Sequence, residues 1–139
     1  MSADGARLVQ AARQYIGTPF RLHGRDPERG LDCVGLLVAS LKSIGASASD
    51  PAGYGLRNRS IDMHLGHFEQ SALAPVSGAI KAGDVLLVKP GPGQHHVLIC
   101  DGQGGFIHAH AGLRRIVQSP GPCPWPITGH FRALPSDKG

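Results

Sequence analysis

Apolar residues recur at helical spacing in two stretches of the N-terminal half and fall into short runs after residue 80. That change of period organises the chain. Leu8, Val9, Ala12 and Ile16 predict an amphipathic helix over residues 3–16, stopped by the breakers Gly17-Thr18-Pro19. Residues 20–30 are polar and turn-rich, with His23-Gly24-Arg25-Asp26-Pro27, and predict an exposed loop. Beyond it, Asp32 precedes a stripe of Val34, Leu37, Val38, Leu41 and Ile44 that ends at Gly45, which predicts a second helix with Asp32 as its N-cap. Residues 60–73 are a candidate third helix. Segments 84–88, 96–100, 106–110, 114–117 and 130–134 are apolar-biased and separated by Gly and Pro, as in an antiparallel meander. Helices first and strands afterwards predict an α+β fold, with an N-terminal helical lobe packed on an antiparallel sheet of about five strands.

The chain has 139 residues, 41% hydrophobic and 17% charged, enough for one cored domain over residues 1–139 and too apolar for charge-driven disorder. No apolar stretch approaches the ~20 residues needed to cross a bilayer. Met1-Ser2-Ala3-Asp4-Gly5 has neither a basic nor an apolar leader region, which predicts no signal peptide and synthesis in the cytoplasm. A net charge of +4 could serve an anionic polymer. Arg21, Arg25, Arg29, Arg57 and Arg59 form no dense basic run and aromatics are only 5%, so nucleic acid is not the expected partner. Cys33, Cys100 and Cys123 are an odd, widely spaced set without a CxxC pair, which predicts free thiols and no cysteine-rich zinc module.

Cys33 follows the N-cap candidate and falls in the first helical turn, where free N–H groups and the helix dipole favour a thiolate and would lower the thiol pKa. A helix cysteine is ordinarily a small buried hydrophobe, but this one follows a Gly-rich loop and the apolar stripe is filled without it. A thiolate nucleophile needs a base, and the base needs an orienting partner. Strand parity puts His96, His108 and His110 on one sheet face, with His96 opposite or diagonal to His108 and His95 pointing the other way. The pattern therefore selects His96 as base and His108 as its orienter. The same face also carries Cys100, so a metal site is a competing possibility, though only His108-Ala109-His110 supplies a short ligand pair.

Gly17-Thr18-Pro19-Phe20-Arg21, Gly30-Leu31-Asp32-Cys33-Val34-Gly35-Leu36, Ala82-Gly83-Asp84-Val85-Leu86, His96-Val97-Leu98-Ile99 and Phe106-Ile107-His108-Ala109 follow one another in a familiar order. Over residues 5–134 the chain resembles the NlpC-type cell-wall peptidases, papain-like cysteine hydrolases of bacterial peptidoglycan. The resemblance implies Cys33 as nucleophile, His96 as base and His108 as the third polar residue, with no metal or organic cofactor. It implies stem peptides of peptidoglycan as substrate, cut at the γ-D-glutamyl–diaminopimelate bond, and action at the cell wall or periplasm. The bare domain is most similar to the branch found with phage tails and phage-derived particles, which would make tail proteins partners. Phe20 stands where the family carries a tyrosine whose hydroxyl assists near the oxyanion. Val34 replaces a common serine, and His23-Gly24 a Gly-Gly pair. Cys123, in Pro122-Cys123-Pro124-Trp125-Pro126, has no family counterpart and reads as a structural turn with an aromatic plug. Two other functions fit the same residues: a non-catalytic tail-tip or wall-binding module, and another amidase or acyltransferase using the same Cys-His-His set.

Overall fold

Asp32 starts helix α2 (Cys33–Ser43) as the capping pattern predicts: its Oδ1 accepts the Gly35 N–H at 2.8 Å, and its carbonyl accepts the Leu36 N–H at 2.8 Å. Gly35 has a second reason to be glycine, because a Cβ there would collide with the Gly24 carbonyl oxygen. The loop before α2 thus lies directly on its first turn. The computed structural model describes residues 3–22, 24–45, 73–92, 94–110 and 112–133.

Helix α1 (Ala3–Arg13) ends three residues earlier than its apolar spacing suggests. Gln14, Tyr15 and Ile16 donate to Ala11, Ala12 and Arg13, the tighter i→i−3 pattern, before Gly17 turns at φ 96°. The predicted loop 20–30 contains a two-stranded ribbon, β1 (Arg25–Asp26) with β2 (Gly30–Leu31). The candidate helix over 60–73 lies outside the described residues except for Leu73, which opens β3 (Leu73–Pro75). Then follow β4 (Val85–Val88), β5 (His96–Cys100), β6 (Phe106–His110), β7 (Arg115–Ser119) and β8 (Ile127–Ala133). Among the described residues these form one six-stranded antiparallel sheet, in the order β3-β8-β4-β5-β6-β7, in place of the five strands expected. Strand β3 escapes the sequence pattern because three residues ending in proline carry no alternation. The architecture is α+β, a helical N-terminal region against an antiparallel sheet.

Both faces of the sheet are covered, which is why all four residues of β4 are buried. On one face α1 and α2 pack Leu8, Ala12, Leu37 and Leu41 against Val85, Leu87, Val97, Ile99, Ile107 and Phe131. On the other, Leu86, Val88, Leu98, Cys100 and Phe106 are capped by Cys123 and Trp125. Asp84 anchors the far end of β4. It is fully buried, bound by Arg132 Nε at 2.7 Å and Nη2 at 2.9 Å, and by His130 Nε2 at 2.6 Å. Burial alone would raise its pKa, but these donors hold the carboxyl below its usual value. The Gly83-Asp84 pair is therefore structural: Gly83 takes φ 82°, and a Cβ there would strike the Gly5 backbone of α1.

Candidate active site

Strand β5 is held to β4 on one side, where Cys100 N–H donates to Asp84 O at 2.8 Å. Alternate amides, including that of Val97, consequently face β6. Among the described residues β5 pairs with β6 only at Ile99↔Ile107 and Cys100↔Phe106, so the strands are unpaired toward His96. Among the described residues the Val97 N–H is left without a strand partner, and it favours the charged form of the Cys33 thiol. The start of α2 fits into this notch. Of its first amides, Gly35 and Leu36 are satisfied by Asp32, whereas those of Cys33 and Val34 favour the charged form of the thiol.

Extending the β5–β6 register puts His96 opposite His110 and diagonal to His108. His96 Nε2 and His108 Nδ1 share a hydrogen bond of 3.0 Å, and the rings are edge-on at 5.3 Å between centroids. His108 is buried, and its Nε2 meets Ser119 Oγ at 2.9 Å. Trp125 stands over both rings, 5.9 Å from His96 and 6.1 Å from His108. A cleft of about 270 Å³ opens here, lined by Phe20, His95, His96, His108, His110 and Trp125 among others. Phe20, part of that lining, is held by its N–H to Arg114 O at 2.9 Å and by a bridge to Leu31.

Three expectations are corrected. Cys33 is only 3% exposed and belongs to the core, and it forms no hydrogen bond to His96. Its thiol is not lowered: burial, reinforced by the Asp32 carboxylate, pushes it up to about 12 and outweighs the nearby backbone amides that favour the thiolate. His95 lines the same cleft, because it sits in the loop before β5, where strand parity does not hold. Burial together with His108 and His110 takes His96 down to about 3, and burial with His110 takes His108 to about 4. At neutral pH the resting pair is therefore thiol and neutral imidazole, not an ion pair.

Cys100 and Cys123 are free thiols outside the notch. Cys100 is buried and Cys123 donates to Trp125 O at 3.5 Å, bracing the aromatic plug that turns out to wall the cleft. His110 Nδ1 accepts the Leu113 N–H at 3.0 Å. Among the described residues no group of three metal-ligating side chains converges. Ser119 was not legible as a site residue, since a serine near a strand end is common and only the β6–β7 register, His108↔Val117 with Phe106↔Ser119, brings it to His108.

A helix-borne cysteine set against two hydrogen-bonded histidines on adjacent antiparallel strands is the arrangement of a papain-like cysteine hydrolase. The chain belongs to the NlpC/P60 family, whose pattern it matches over residues 17–125. It is 34% identical to Protein P54 of Enterococcus faecium over 108 residues, which cover 78% of this chain and 18% of that protein. The chain thus spans less than a fifth of that relative. The NlpC/p60 domain of the peptidoglycan hydrolase SagA superposes with TM-score 0.55 at 30% identity, covering 84% of this chain and 88% of that one. NlpC1 of Trichomonas vaginalis superposes with TM-score 0.73 at 20% identity, covering 94% and 44%, and shares the fold.

Proposed function

We propose that this protein is a cysteine endopeptidase that hydrolyses stem peptides of bacterial peptidoglycan, at the γ-D-glutamyl–diaminopimelate bond, with Cys33, His96 and His108 as its catalytic set. The observation that carries the reading is the 3.0 Å bond between His96 Nε2 and His108 Nδ1, beside Val97, whose backbone amide favours the Cys33 thiolate. It engages one nitrogen of His96 and reserves Nδ1 for the thiol proton. Membership of the NlpC/P60 family and the likeness to a domain of a peptidoglycan hydrolase support the substrate. Action at the cell wall follows from that substrate, and carriage by phage-type tails rests on the sequence resemblance alone.

In this mechanism Cys33 Sγ attacks the scissile carbonyl carbon while its proton passes to His96 Nδ1, so ionisation accompanies attack. The Cys33 backbone N–H at the start of α2, which Asp32 leaves unengaged, donates to the oxyanion. Collapse breaks the C–N bond, the His96 proton leaves on the amine, and a thioester remains on Cys33. Water then attacks with His96 as base, releasing the carboxylic acid and restoring the thiol. His108 holds the ring plane and tautomer of His96 throughout. Digestion of purified sacculi followed by mass analysis of the fragments tests the proposal. New γ-D-glutamyl carboxyl ends and diaminopimelate amines are expected, and their loss in Cys33→Ala. Sacculi that are bound but left intact would instead identify a wall-binding module.

A further inference from the structure

The hydrogen-bond chain does not stop at His108, and its end determines its direction. Two neutral imidazoles joined Nε2 to Nδ1 share one hydrogen, and either ring can own it. If His108 carries its proton on Nδ1, it donates to His96, and His96 must then hold its own proton on Nδ1, where the thiol proton has to arrive. If His108 carries its proton on Nε2, its Nδ1 accepts from His96 Nε2–H and His96 Nδ1 is free to act as base. Only the second arrangement also suits the imidazolium formed during attack, which must donate from both nitrogens. It needs an acceptor for the His108 Nε2–H at a buried position, and that acceptor is Ser119 Oγ at 2.9 Å.

We propose that Ser119 is a positioning residue: by accepting the His108 Nε2–H it fixes the tautomer of His108 and, through it, that of His96. The assignment rests on the cysteine-hydrolase reading for its consequence in rate, but the tautomer itself is independent of any substrate. Ser119 is not itself part of the cleft lining, and it reaches the site through its bond to His108. Its hydroxyl can accept from His108 and still donate its own hydrogen onward, which alanine cannot do and threonine can.

Nitrogen-15 chemical shifts of the histidine rings report the tautomers directly, alongside steady-state turnover of a stem-peptide substrate. In the parent, His108 is expected to carry its proton on Nε2. Ser119→Ala is expected to move that proton to Nδ1 or to mix the two forms and to lower kcat about 10- to 100-fold, the scale of a lost outer partner. KM is expected to stay unchanged, and Ser119→Thr to restore both tautomer and rate. A parent His108 protonated on Nδ1 overturns the proposal without any variant. So does a folded Ser119→Ala protein that keeps the Nε2–H form and the parent kcat. A parent with the Nε2–H tautomer that leaves peptidoglycan uncut would sink the peptidase reading and leave the role of Ser119 in the relay standing.

Discussion

Replacing Asp32 by asparagine is expected to make Cys33 more reactive toward a small alkylating reagent, although Asp32 is the residue that builds the helix start. Its carboxylate adds to burial in pushing the thiol up to about 12. A unit charge one residue away contributes on the order of 1–3 kcal/mol at an effective dielectric constant near 20, and 1.36 kcal/mol is one pKa unit. Removing it should lower the thiol by about one to two units. Each unit multiplies the thiolate fraction tenfold, but nucleophilicity falls with a Brønsted slope of about 0.4–0.5, so alkylation gains about three- to fourfold per unit. The net expectation is about a three- to tenfold rise. Asparagine caps helices as well as aspartate, so the 2.8 Å bond to Gly35 N persists at a cost of about 1 kcal/mol for its lost charge. Iodoacetamide at pH 8, followed by the mass of the Cys33 peptide, reads the rate, with Cys100 and Cys123 as references in the same digest. An unchanged or slower rate in a variant that melts normally would refute the electrostatic reasoning.

Cys33→Ala is expected to abolish hydrolysis and, because the thiol is a core group, to cost about 1 kcal/mol in a chemical melt; parent activity would remove Cys33 as nucleophile. His96→Ala should lose several orders of magnitude in kcat and His95→Ala much less, since His96 bonds His108; equal losses would contradict that division. Phe20→Tyr should preserve or raise turnover, as its ring lines the cleft and a hydroxyl there gains a donor toward the oxyanion; a fall at unchanged melting temperature would show that this is not the family's tyrosine position. Folded-state values of about 3 and 4 for His96 and His108 lie below the 6.5 of a free histidine, so the unfolded chain binds more protons between these limits. Stability is then complete above about pH 6.5 and falls as pH drops toward 4; a melting temperature flat from pH 7 to 4.5 would show the pair is not buried neutral.

The three proposed site residues could be read from the chain because each sits where local rules are strong. Cys33 follows a capping aspartate, and His96 and His108 share parity across a short loop. The relation between them was less legible. Parity places the histidines on the sheet face away from the helices, and it is the unpairing of β5 from β6 near His96 that lets the start of α2 reach the notch. Register over such a distance leaves no mark in composition. The thiol expectation failed for a related reason: the helix dipole is a local property, whereas burial depends on the whole fold and outweighs it here. His95 was misplaced because strand parity was applied one residue beyond the strand. Ser119 depended on a β6–β7 register that no sequence period announces.

The central claim is that Cys33 carries the acyl group between the two half-reactions. Acid quench of the protein during turnover of a stem peptide, followed by intact and peptide mass analysis, tests it most directly. The account predicts an added acyl mass on the peptide containing Cys33, absent from Cys33→Ser and from His96→Ala. Turnover that persists in Cys33→Ser, or an acyl group found on Cys100 or Cys123 instead, would contradict it.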